Sequence, residues 1–150
     1  MPHDAAAATA RVLNGRLYVI GGVGSNKLQV LEMTEENGLS WSCKADLPGN
    51  RYAAASVVHE GKLWVMGGRV AGRESTSIIT YDAEADAWHT APSLPLPCRT
   101  SSCRASSIDQ GILFPHVGGV LRYDQTHGWQ SVAGPAENLP RSVCELLLLG

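Results

Sequence analysis

The stretch Asn14-Gly15-Arg16-Leu17-Tyr18-Val19-Ile20-Gly21-Gly22 returns 46 residues later, without a gap, as Glu60-Gly61-Lys62-Leu63-Trp64-Val65-Met66-Gly67-Gly68. A chain that repeats at such a period folds as like units packed side by side, because one unit cannot bury its apolar face alone. A third, weaker copy runs from Gly111 through Ile112, Leu113 and Phe114 to Gly118-Gly119. Tryptophans keep the same beat at Trp41, Trp88 and Trp129, and Leu-Pro pairs close the units at Leu47-Pro48, Leu94-Pro95 and Leu139-Pro140. Arg51, Arg99 and Arg141 follow these pairs, with Ala5 in the aligned place of the first copy. Tyr81-Asp82 matches Tyr123-Asp124, with Leu31-Glu32 in the equivalent place. The order of features divides the chain into repeats 1–46, 47–93 and 94–138, with the start of a fourth at 139–150.

Each unit reads as four short strands: a small-residue apolar run (53–59, 101–108), an apolar run ending in Gly-Gly, a run toward Tyr-Asp, and a strand around Trp. Turn chemistry separates them at Asn14-Gly15, Asn37-Gly38, Glu60-Gly61 and 82–86. No segment sustains a helical period. Short, evenly spaced strands in a repeat of this length predict an all-β fold of four-stranded antiparallel β-propeller blades. Small residues suit the innermost strand. The paired glycines mark close approach of backbone, and the repeated Trp is expected to cover that gap. The closing Pro stops one blade before the next.

Composition narrows the function classes. The net charge is -2, so nothing suggests a surface that tracks nucleic-acid phosphates. Charged residues are 17% of the chain, against about 25% in ordinary globular domains, and Gly accounts for 16 of 150 residues. Apolar runs such as the leucines at 146–149 are far shorter than the roughly 20 residues a membrane span needs. The opening residues lack a basic and then apolar leader, and no Asn-x-Ser/Thr acceptor occurs. The Ala-rich start with Arg11 and Arg16 also fits a transit peptide, but the same stretch falls into the repeat register. A cytoplasmic protein is expected, with Cys43, Cys98, Cys103 and Cys144 reduced and buried.

The constellation resembles the kelch repeat: an Arg-led apolar strand, a Gly-x-aromatic-Val-x-Gly-Gly strand, Tyr-Asp, then Trp. The resemblance covers three repeats plus the first strand of a fourth, and the second repeat matches best. The first lacks the Arg and the Tyr-Asp. In the third, Gly119 lies only four residues before Tyr123, whereas Gly68 lies 13 before Tyr81, which suits a hairpin turn at Gly118-Gly119 with the usual connection deleted. The resemblance implies a partial kelch β-propeller, and full members close at about six blades. Three blades cannot complete a ring. The expected remedy is further blades in a longer chain, or a second copy, and association in isolation.

The residues show little chemistry. His3, His59, His89, His116 and His127 have no metal-ligand spacing, so neither a metal nor a cofactor is expected. Ser101-Ser102 with Asp109 lacks a nucleophile-elbow motif. Gly21-Gly22-Val23-Gly24 lacks the Lys of a phosphate loop. Some kelch-like propellers are copper radical oxidases or sialate epimerases, but Tyr81, Tyr123 and Tyr18 occupy repeat positions and leave only Tyr52 for a metal. The arginines point instead to recognition of carboxylates or protein surfaces. Arg69, Arg73 and Glu74 fall in the connection between second and third strands of the second repeat, and Arg104 flanks the third inner strand. Arg51, Arg99 and Arg141 read as structural motif arginines. By resemblance, loops of this kind grip acidic peptide segments. The function expected is therefore a non-catalytic protein-interaction module, for example substrate recognition for a cullin-type ubiquitin ligase. A fragment of a kelch-fold enzyme and an actin-binding scaffold are the alternatives.

Overall fold

A computed structural model describes residues 5–36, 38–95, 104–116 and 119–133. The first sheet runs in order through β1 (Thr9–Leu13), β2 (Arg16–Ile20), β3 (Leu28–Thr34) and β4 (Gly38–Cys43). The second contains β6 (Ala55–His59), β7 (Lys62–Met66), β10 (Ile78–Asp82) and β11 (Ala87–Ala91). The third contains β12 (Ser106–Ile108), β13 (Gly111–His116), β14 (Gly119–Asp124) and β15 (Gly128–Ala133). These are the expected four-stranded antiparallel blades. The fourth unit, Arg99, Arg141, Gly118, Cys98, Cys103 and Cys144 lie outside the described residues.

Positive φ values at Asn14 and Gly15, and again at Glu60 and Gly61, give the two-residue hairpins whose twist matches the flanking strands. Such turns collect at one end of every sheet, here the turn end. The wider connections and the linkers between sheets collect at the other, the linker end. The inner strands β1, β6 and β12 lie together: Arg11 Nη2 donates to Ser56 O at 2.6 Å, and His59 Nδ1 lies 2.8 Å from Ser107 Oγ. This is convergence on a common axis.

The register aligns the repeats. Leu17, Leu31 and Trp41 form one row across the first sheet, Leu63, Tyr81 and Trp88 the same row in the second, and Ile112, Tyr123 and Trp129 in the third. Leu31 thus stands in the Tyr place, as the repeat predicts. The third glycine pair departs from the simple match to Gly67-Gly68. Ile112 takes the Leu63 position, β13 ends at His116, and Gly119 opens β14 as its direct partner. With the wide connection missing, strand register follows Tyr123 and not the glycines.

The cores lie between sheets, not within them. Leu13, Tyr18, Ile20, Leu28 and Val30 of the first sheet pack on Leu63, Val65, Ile79 and Tyr81 of the second. The opposite face of the second sheet, with Ala55, Val57, Trp64, Met66 and Ile78, packs on Ile112, Phe114, Leu121 and Tyr123 of the third. The leucines of the Leu-Pro pairs plug these same cores, Leu47 the first and Leu94 the second. Those two were legible in sequence only as punctuation.

Aromatic rings repeat the junction. Tyr18 lies 5.9 Å from Tyr81, which lies 5.1 Å from Trp88; Trp64 lies 5.2 Å from Tyr123, which lies 5.3 Å from Trp129. These offsets are favourable tilted geometries. Two of the outer tryptophans then latch a linker: Trp88 Nε1 donates to Ala45 O at 2.9 Å and Trp129 Nε1 to Pro92 O at 3.1 Å.

Backbone, not an indole, closes on the glycines. A Cβ on Gly21 would run into Arg51 O, and one on Gly68 would stand 2.6 Å from Tyr52 O and 2.8 Å from Ala54 Cα. Gly68 also has φ +77°, as does Gly72, whose surroundings are open. Gly68→Ala is therefore expected to cost about 3 kcal/mol, steric overpacking added to backbone strain. Gly72→Ala is expected to cost only about 1 kcal/mol, the strain alone. Urea unfolding of the two variants measures the difference, and equal losses would remove the close-approach account. Cys43 corrects the expectation of burial. It closes β4, the outermost strand of its sheet, and is exposed.

Candidate functional site

The linker end is organised by Arg51. Its strand β5 (Arg51–Tyr52) pairs with β8 (Arg69–Val70), which pairs with β9 (Arg73–Glu74), making a small three-stranded sheet above the second blade. The connection expected to be a plain loop is thus a hairpin, turned by Ala71 and Gly72 at positive φ. The Arg51 side chain is buried. Its Nη1 donates to Gly67 O and, at 3.2 Å, to Ser77 O, and its Nη2 donates to Ser77 Oγ at 2.7 Å. One planar guanidinium therefore ties together both ends of the 67–77 connection. Burial lowers its pKa from the ordinary arginine value.

The Arg51 backbone does equal service. Gly22 N donates to Arg51 O at 2.8 Å, Arg51 N to Ser25 O at 3.3 Å, and Ala53 N nearby to Ala7 O at 2.8 Å. The first and second blades are stitched here by main chain, which explains why Gly21 and Gly22 carry no side chain.

On this scaffold Arg69, Arg73 and Glu74 are exposed on β8 and β9, and Arg104 is exposed just before β12. The topology brings all four to the linker end. Sequence reasoning missed Arg11 as part of this region. Its guanidinium donates to Ala10 O and Ser56 O on the inner strands. Its pKa is lowered first by burial and then by repulsion from Arg104, which places two positive charges near the axis. The signal was available: Val57 and Ser106 fill the aligned register position, so a charge there breaks the repeat.

Opposite, at the turn end, the aspartates of Tyr-Asp shape the hairpins. Asp82 Oδ1 accepts from Glu84 N and Ala85 N, and Asp124 Oδ1 from Thr126 N and His127 N. These donors hold both carboxyls below the usual range, the Ala85 N–H most for Asp82 and the His127 N–H most for Asp124. Asp86 is lowered chiefly by the Ala45 N–H, then by the Tyr81 hydroxyl, while burial and Asp86 raise Tyr81. A polar cleft of about 490 Å³ opens at this end, lined by His59, Glu60, Asp109, Arg122, Asp124 and His127 among others. Its Asp124 is committed to a turn and Glu60 accepts from Gln125 Nε2. Among the described residues no cluster of His, Cys, Asp or Glu is arranged to hold a metal ion.

The Kelch motif family model matches residues 50–95, the span of the Arg51 clamp, the second blade and the Trp88 latch. The chain is a kelch-repeat protein. Its kelch repeats are 33% identical over 113 residues to human Kelch-like protein 33, covering 73% of this chain and 21% of that protein. They are also 33% identical over 92 residues to Kelch repeat and BTB domain-containing protein 1 of Ectromelia virus (strain Moscow), covering 57% of this chain and 16% of that protein. The solved structure of YjhT superposes with a TM-score of 0.76 at 14% identity, covering 91% of this chain and 53% of that one. That likeness is one of fold. The kelch chain spans about a fifth of the length of the curated relatives it matches. Among the described residues no helix is long and apolar enough to cross a membrane.

Proposed function

We propose that this kelch segment is a non-catalytic protein-interaction module whose linker-end rim receives an acidic peptide segment of a partner. The observation that carries the reading is the exposure of Arg69 and Arg73 on a short hairpin held by the buried Arg51. Arginine on a pre-ordered support recognises carboxylates with little ordering cost. Arg104 and Arg11 extend the positive rim toward the axis, and Glu74 sets the register of an approaching partner. The tyrosines favour the same reading: Tyr18, Tyr81 and Tyr123 are packed between blades, which supports a structural role for them. BTB stands in the name of a viral relative, which supports a role in substrate recognition for a cullin-type ubiquitin ligase in the cytoplasm. Nothing in this reading requires a cofactor, nucleic acid or membrane.

Proximity labelling in cells compares the wild-type chain with the Arg69→Ala, Arg73→Ala double variant. Loss of labelled partners is expected, with binding that weakens as salt rises. An unchanged partner set would remove the rim from consideration.

A further inference from the structure

His59 stands where the first and third blades have Leu13 and Ile108, at the last position of the inner strand before its hairpin. The next residue, Glu60, takes the place of Asn14 at φ 49°, a conformation that asparagine adopts more readily than glutamate. Two successive residues thus break the repeat at the turn end of the second blade. Both line the polar cleft of about 490 Å³ described above. His59 is only 6% exposed, with Nδ1 2.8 Å from Ser107 Oγ and its ring edge-on to Trp64. When Nδ1–H donates to Ser107 Oγ, Nε2 presents a lone pair. Glu60 Oε1 lies 3.9 Å from Nε2, beyond hydrogen-bond reach, while Glu60 Oε2 is held by Gln125 Nε2 at 2.8 Å across the blade boundary. Two acceptors, one on a buried ring and one on a tethered carboxylate, therefore stand side by side with no donor between them among the described residues.

We propose that this corner receives the ammonium group of a lysine side chain from a protein partner. An ammonium carries three N–H donors on a flexible stem, so one group can meet Nε2 and Oε1 together. A guanidinium fits less well, because its planar fork seeks both oxygens of a carboxylate and Gln125 already engages one. The carboxylates of Asp109 and Asp124 line the same cleft and add attraction for a cation. The cations nearby do not fill the gap: His127 Nδ1 lies 3.0 Å from Asp124 Oδ1, and Arg122 rises from the face of β14 opposite to Tyr123. The cleft volume falls in the range of about 300–1,000 Å³ usual for ligand sites, which leaves room for residues flanking the lysine and favours a peptide over a lone amine. His59, Glu60 and Gln125 belong to the junction of the second and third blades, so the site needs no neighbour beyond them. It lies at the opposite end from the arginine rim, and the inference stands independently of the proposed function.

Nuclear magnetic resonance of the full chain, with the histidine ring nitrogens and the backbone labelled, reads the site. Titration with the capped tripeptide glycyl-lysyl-glycine is expected to move the His59 ring and Glu60 amide signals and to saturate with a dissociation constant on the order of 1 mM. The same peptide with its lysine acetylated is expected to leave them in place, and the arginine peptide to bind about fivefold more weakly. Glu60→Asn, which installs the residue of the first repeat and so suits the turn, is expected to weaken the lysine peptide about tenfold with an unchanged circular dichroism spectrum. Glu35→Gln, an exposed carboxylate of the first blade, is expected to bind as wild type does. Equal response to the acetylated peptide, full affinity in Glu60→Asn, or a His59 ring protonated at Nε2 in the neutral state would each overturn the proposal. Tighter binding of putrescine than of the lysine peptide would overturn the assignment to a protein partner.

Discussion

Arg51→Ala is expected to lower the unfolding free energy by about 3 kcal/mol, a shift in Tm on the order of 10 °C for a chain of this size. The substitution removes three hydrogen bonds at once and strands Gly67 O, whereas Ser77 O still accepts from Gly67 N and Ser77 Oγ keeps Ser75 Oγ. A buried acceptor left without a donor costs more than the bond it lost was worth. Arg51→Lys is the sharper probe. It keeps the charge yet cannot span both strands of the connection with one planar fork, so it is expected to recover less than half of the loss. If lysine restored full stability, charge and not the fork would be what this position supplies. Thermal unfolding of the three proteins gives the answer.

Trp64→Ala is expected to cost more, about 3–5 kcal/mol, the range for deleting a large buried aromatic side chain. Trp64 fills the second inter-blade core, against Tyr123 at 5.2 Å and with the edge-on ring of His59 at 6.0 Å. Its indole Nε1 is buried without a hydrogen-bond partner, which already lowers its net value. Trp64→Phe, which deletes that N–H and keeps an aromatic ring, is therefore expected to cost much less than the alanine change, about 1–2 kcal/mol. Equal costs for the two would mean that packing between the second and third blades does not depend on this ring. Denaturant midpoints measured at a common m-value provide the comparison.

The repeat made the blades readable because a four-stranded unit needs the same residues at the same row each time. Asn14-Gly15 and Glu60-Gly61 announced their hairpins, Leu31 announced its place opposite Trp41, and the shortened third unit announced a displaced glycine pair. The pairing of one blade with the next was not legible. Trp88 reads as a residue of its own strand, yet its indole serves the Ala45 linker 43 residues earlier. Leu47 and Leu94 read as companions of proline, although they plug two different cores. The same limit governs the candidate site. Arg69, Arg73 and Glu74 were legible as loop residues, but their common support was not. It depends on β5 reaching across to β8, and Arg51 alone carries no local sign that its side chain is buried. Arg11 stood out as a charge where the repeat has Val57 and Ser106, but its contact was not legible, since its neighbour Ser56 belongs to the next repeat.

The central claim is that adjacent blades, and not single blades, are the packing unit of this chain. Ring-to-ring nuclear Overhauser effects test it most directly, read on protein with selectively labelled tyrosine and tryptophan. Cross-peaks are expected between Tyr18 and Tyr81 and between Trp64 and Tyr123, each pair joining neighbouring blades. Cross-peaks confined to Tyr81–Trp88 and Tyr123–Trp129, the pairs within one blade, would contradict it.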